Sequence, residues 1–194
     1  MPIRFQQPPA DTIETLRESA NSMPRSFAEH ARMIRTVLDD PDRHWPHPVY
    51  IAGLRDMASS DGLSQAEIAG WRYLTQSGGS YAIEVQDDPD WDGQQLTEID
   101  KGPFIDGLCR LLEDKEIARK TGADDLNLSV LRINAMGIFA VWLHAADAAK
   151  DIIIPLQPAP DYLKPGQTYS VEEFQDALKP QAKRNLKSGR SFDA

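Results

Sequence analysis

"LNLSVLRINAMGIFAVWLHAADAAKDIIIPL", residues 126–156, decides how this chain folds. Its longest charge-free run lies between Arg132 and Asp147 and is 14 residues long. A membrane-spanning helix needs about 20 apolar residues, so the run is too short to be one. Its apolar content (Ile138, Phe139, Val141, Trp142, then Ile152, Ile153 and Ile154) is β-branched and aromatic, which suits strands. The joints at Ala135-Met136-Gly137 and at Asp147 to Lys150 are short. Short joints pair successive strands antiparallel, so 126–156 reads as a three-stranded meander. "GIFAVWLHA" is its central strand and is apolar on both faces. Helices at Phe27 to Leu38 and Phe104 to Leu112 are the expected covers.

Upstream, helices dominate. Asp11 and Glu14 follow the Pro8-Pro9 break as a start signal, with Ile13, Leu16 and Ala20 on one face. Ser26 and Glu29 spell a capping box, followed by Phe27, Ala31, Ile34 and Leu38 at helical spacing. Pro48 suits a first helical position, with Ile51, Leu54 and Ala58 as the apolar face of a short helix. Ser64 and Glu67 mark another brief helix. Trp71, Tyr73 and Thr75 alternate, as do Tyr81, Ile83 and Val85, around Ser77-Gly78-Gly79. That pattern favours a hairpin over 71–86, against the competing reading of a helix that continues from Ser64 through Leu74.

After the loop "DDPDWDG", Pro103 opens a helix over 103–120 with Phe104, Leu108, Leu111 and Leu112 inward, stopped by Gly122. Ser170 and Glu173 cap a last helix over 171–179, which Pro180 should break. The fold class is therefore α+β, an antiparallel sheet of about five strands covered by helices. One domain is expected over 1–179, with a basic, flexible tail over 180–194. From Lys179 onward five cations (Lys179, Lys183, Arg184, Lys187, Arg190) stand against one carboxylate, Asp193.

The chain of 194 residues carries a net charge of −9. Phosphate contacts need a surplus of Lys and Arg, so this balance opposes general binding to nucleic acid or anionic membranes. It suits a basic protein partner. The single Cys109 can form no internal disulfide, and "MPIRFQQPPADT" has no apolar core of a secretory signal, so a cytoplasmic protein is expected.

Three constellations carry possible chemistry. In Asp88-Pro-Asp90-Trp-Asp92-Gly93, alternate carboxylates before a glycine offer hard oxygen ligands and a tight turn. These six residues resemble the front half of an EF-hand calcium loop, which makes Asp88, Asp90 and Asp92 candidate calcium ligands. The twelfth position, where a bidentate Glu belongs, is Ile99, between Glu98 and Asp100. In "DDPDRHWPHP", His44 and His47 with Asp40 or Asp42 have the donor types of a zinc site. There Pro46 and Pro48 hold the backbone extended, and side chains three apart on an extended chain diverge. His144 shares a strand face with Ala140 and Trp142, where a hydrogen-bonded structural histidine is the expected role. His144, His44 and His47 are also the candidate catalytic residues. Neither G-x-S-x-G nor a phosphate-binding glycine loop occurs. No resident cofactor is expected beyond the possible calcium.

The leading expectation is a non-catalytic, accessory or inhibitor-like module whose acidic surface docks another protein. The alternatives are a hydrolase-like enzyme built from separated His and Asp/Glu residues, and a calcium-binding module.

Overall fold

The computed structural model describes residues 3–60, 62–76, 79–88, 93–113 and 125–188. Among them are nine strands in one sheet and five α-helices. The first half supplies β1 (Ile3–Arg4), α1 (Ala10–Ser22), α2 (Ala28–Asp39), β2 (His47–Ile51) and α3 (Leu54–Ala58). β3 (Glu67–Thr75), β4 (Tyr81–Asp87), β5 (Gln94–Asp100) and α4 (Pro103–Glu113) follow. The second half supplies β6 (Leu126–Ile133), β7 (Ile138–His144), β8 (Ile152–Pro155), β9 (Tyr169–Ser170) and α5 (Val171–Lys187).

The sheet order is β5-β4-β3-β2-β6-β7-β8-β9, with β1 beside β6. It consists of two antiparallel meanders whose first strands, β2 and β6, lie side by side and parallel. The α+β class and the mainly antiparallel sheet are as the sequence indicates, but the strand count exceeds five. The meander over 126–156 forms as expected: Val141 pairs with Val130 on one side and Ile154 on the other. Gly137, at φ 61°, makes the β6–β7 reversal with a backbone angle that a side chain disfavours. The hairpin of β3 and β4 also forms, with Tyr73 opposite Ile83.

Both faces of the sheet are covered. α4 lays Phe104, Ile105, Leu108, Leu111 and Leu112 on the face formed by Leu128, Val130, Val141, Leu143 and Ile154. On the other face, α1 and α2 cover Tyr73, Ile83 and Val85, while α3 and α5 cover Leu131, Ala140, Trp142 and Ile153. The helix expected above β7 on this side, α2, therefore lies over β3 and β4 instead. Cys109 is buried on the inner side of α4, and burial pushes its thiol up from the ordinary value.

Several local expectations are corrected. Residues 47–51 are a strand in mid-sheet, not a helix. Pro48 is tolerated because pairing with β6 begins only at Val49. The helical spacing of Ile51, Leu54 and Ala58 spans a strand–helix junction. Gly62–Gln65 is a single 3-10 turn, and β3 begins at Glu67. The Ser26/Glu29 box does not form, since α2 starts after Phe27 with no side-chain cap. Residues 94–100, to which the sequence assigns no element, are β5.

The C-terminal helix does not stop at residue 179. It is capped as expected, Glu173 N–H to Ser170 Oγ at 3.1 Å and Ser170 N–H to Glu173 Oε2 at 2.9 Å, but it runs through Pro180 to Lys187. Pro180 faces solvent, where water can satisfy the carbonyl that loses its partner, while Ala182 is buried and Leu186 half-buried in the α3–α5 core. Residues 180–187 are thus packed structure rather than a flexible tail. Of the helix expected over 103–120, residues 114–120 lie outside the described residues, as do Gly122 and residues 189–194.

Candidate functional site

His144 stands at the end of β7, where the sequence reading placed it, and it joins two partners that reading did not gather. Its Nδ1 lies 3.0 Å from Asp151 Oδ2, and its Nε2 lies 2.8 Å from Ser129 Oγ. Asp151, just before β8, also accepts from Trp142 Nε1 at 3.0 Å and from the Ala145 N–H at 2.9 Å. The Tyr50 ring packs 5.4 Å from the imidazole and 5.2 Å from Trp142. The antiparallel register brings Ser129 and His144 together, because Ser129 sits opposite Trp142 and Asn127 opposite His144. That signal is readable from the hairpin joint once its register is set.

A Ser–His–Asp hydrogen-bond chain is the donor set of nucleophilic hydrolases, so its chemistry can be tested on the geometry. Ser129 fails as a nucleophile. It is fully buried in the middle of β6, between β2 and β7, and its hydroxyl donates to the Trp142 carbonyl at 2.9 Å. Burial lowers the His144 pKa from its ordinary value, with the Asp151 charge and hydrogen bond acting against it. The arrangement is a polar pin tying β6, β7 and the start of β8. Ser129→Ala and His144→Ala should each lower stability by about 1 kcal/mol, the worth of a hydrogen bond, in urea unfolding. A fluorophosphonate probe should leave Ser129 unlabelled, and labelling that Ser129→Ala abolishes would make it a nucleophile.

His44 and His47 are not brought together. Between them Trp45 adopts a left-handed conformation (φ 50°), which turns the chain sharply. His44 Nδ1 meets the Leu74 carbonyl at 3.1 Å, while His47 is fully buried in β2 with Nδ1 donating to the Trp45 carbonyl at 2.6 Å. Among the described residues no group of three His, Cys, Asp or Glu side chains is placed to hold a metal ion. Asp90 and Asp92 of the calcium pattern lie outside the described residues, and Asp88 lines the cleft described next.

His47 Nε2 is buried without a hydrogen-bond partner, so protonating it would add an N–H with no acceptor. Burial first, and the Arg72 charge as well, lower its pKa from 6.5 to about 4 against the opposing Trp45 hydrogen bond and Glu84. The unfolded chain binds this proton more readily than the folded one. The stabilisation is therefore complete above pH 6.5 and is lost as the pH falls toward 4. The expected loss is ~3 kcal/mol over that window. Urea unfolding of wild type and His47→Gln between pH 7 and pH 4 checks it, since the variant should show a flatter profile.

A different place gathers charge at the surface. Along α1, Asp11, Glu14 and Glu18 recur at helical spacing on the side away from buried Leu16 and Ala20. They face Asp87, Asp88, Gly93 and Gln94, where β4 and β5 meet their connecting loop, across an open cleft of about 610 Å³. Its walls are tied together where Thr12 Oγ1 donates to Gln94 Oε1 at 2.7 Å and Gln94 Nε2 donates to Asp87 Oδ1 at 2.8 Å. Among the described residues the lining holds five carboxylates and no Lys or Arg. Asp11 and Glu14 were visible as a helix start signal, but their place beside Asp87 requires knowing that α1 packs on β5. No family model, curated protein or solved structure matches this chain.

Proposed function

We propose that this protein is a non-catalytic, accessory or inhibitor-like module that docks a basic surface of another protein through the α1–β5 cleft. The observation that carries this reading is the cleft itself, a concave wall with five carboxylates and no lining cation among the described residues. Opposite charge arranged on a concave surface steers encounter and suppresses wrong partners. The same field repels phosphate backbones and anionic lipids. The His144 network supports the non-catalytic part, because its hydroxyl is inaccessible.

The test is a pull-down from native lysate with wild type and with the triple variant Glu14→Gln, Glu18→Gln, Asp87→Asn. These side chains are at the surface, so the variant should melt like wild type. Wild type should retain a stoichiometric basic protein at low salt and release it at ~0.5 M salt, where charge screening is nearly complete within a few Å. Equal recovery by wild type and variant would overturn the reading.

A further inference from the structure

We infer that the partner's contact is an extended basic segment that adds to the open edge of β5 as a further strand. This rests on the acidic-docking reading and names how the partner is held. β5 is the outermost strand of its meander, and among the described residues no strand pairs with its outer side. Alternate backbone N–H and C=O groups along Gln94–Asp100 therefore point away from β4, with no main-chain partner among the described residues. Such an edge is a template for main-chain pairing.

The two ends of the sheet differ. The far edge, β9, is two residues long and runs straight into α5. β5 is seven residues long and holds neither Pro nor Lys, two of the devices that blunt an edge. A bulge at Thr97, where Leu96 pairs with Val85 but Glu98 with Glu84, divides it into two runs. The first run, Gln94–Leu96, begins at the acidic cleft.

Charge selects the occupant. A strand laid along β5 would meet Asp11, Glu14 and Glu18 from α1 on one face of the sheet. On the opposite face it would meet Glu98 and Asp100, which the register places beside Glu84 and Ala82. Side chains on a strand alternate between the faces, so a segment with Lys or Arg at several positions meets carboxylates whichever face they take. A second copy of this chain would bring the same carboxylates against themselves, a like-charge contact that opposes pairing.

The test uses the full 15N-labelled chain at low salt. The probe is a capped nine-residue peptide alternating lysine and threonine, compared with the same peptide N-methylated at every residue and with a glutamate–threonine version. N-methylation keeps the side chains and removes the main-chain donors. The lysine peptide should bind and slow amide exchange at alternate residues of Gln94–Asp100. The N-methylated peptide should bind at least ~10-fold more weakly, as loss of several hydrogen bonds requires. The glutamate peptide should not bind.

Equal affinity for the N-methylated peptide, unchanged β5 amides, or no binding by the lysine peptide would each overturn the inference. If equal affinity is accompanied by loss of binding in the Glu14→Gln/Glu18→Gln/Asp87→Asn variant, strand addition fails and acidic docking stands. If that variant binds like wild type while N-methylation still abolishes binding, the edge stands and the acidic cleft is not the docking site.

Discussion

Val141→Asp should give a chain with no cooperative unfolding transition. Val141 is fully buried in β7, between Val130 of β6 and Ile154 of β8, on the face that α4 covers with Leu108 and its neighbours. The apolar core residues packed there provide no hydrogen-bond donor for a carboxylate. An unpaired charge in such a place costs several kcal/mol even after the group shifts toward its neutral form. Total stability for a domain is about 5–15 kcal/mol, so the change removes most or all of it. Circular dichroism during heating measures the outcome. A sharp transition near that of wild type would mean that residue 141 is not in the interior.

Loss of Glu84 should be nearly as damaging, for the opposite reason. Glu84 is fully buried in β4 and holds two guanidinium groups at once. Arg72 Nε donates to Oε2 at 2.7 Å and its Nη2 to the same oxygen, while Arg132 Nη1 donates to Oε1 at 2.6 Å. Phe104 and Phe139 back the two guanidinium planes at 5.3 and 5.6 Å from their ring centres. Glu98 stands 3.7 Å from both arginines but is partly solvated. Glu84→Gln leaves the buried Arg72 with only the partly solvated Glu98 as counter-charge, and breaking such a buried pair costs about 3–5 kcal/mol. Replacing all three by apolar residues (Arg72→Met, Glu84→Leu, Arg132→Met) should restore much of that loss, since no charge is then buried.

Acid titration reads the same group independently. Burial by itself raises the Glu84 pKa, but Arg72 and Arg132, with the hydrogen bond from Gln86, outweigh it and hold the carboxyl below the usual range. Its contribution is therefore complete above the unfolded glutamate pKa and is lost as the pH falls through the lower folded value. Urea unfolding of wild type should show this acid limb, and Glu84→Gln should lack it. An unchanged midpoint in Glu84→Gln at pH 7 would show that the two arginines do not depend on this carboxylate.

The elements that were legible in the sequence are those where one physical signal acts alone. Residues 126–156 announce three strands because β-branched and aromatic residues dominate the apolar runs and the joints between them are short. The cap at Ser170 and Glu173 is local chemistry, and it forms as written. β5 was invisible for a definite reason. Its two strongly apolar residues, Leu96 and Ile99, are three apart, and the bulge at Thr97 is what brings both to the core under α1 and α2. Period-two alternation cannot reveal a strand whose period is broken by an inserted residue. Pro180 misled because its cost depends on which side of the helix it occupies, a matter of tertiary packing. His144 is hydrogen-bonded, yet Ser129 and Asp151 came to it only through register, and the cleft only through the packing of α1 on the hairpin.

The parallel seam between β2 and β6 has a consequence for how the chain reaches its native state during synthesis. β2 to β5 can pair among themselves as soon as they leave the ribosome, but the inner edge of β2 stays bare until β6 arrives. β1, at the very start of the chain, waits for the same strand. Contacts this far apart in sequence form late and slow folding, because loop closure must precede the stabilising pairing. The first meander therefore spends its early life with unpaired edges on both sides, the condition in which a nascent chain calls on chaperones. Completion of β6 ends that exposure and lets the two meanders become native together.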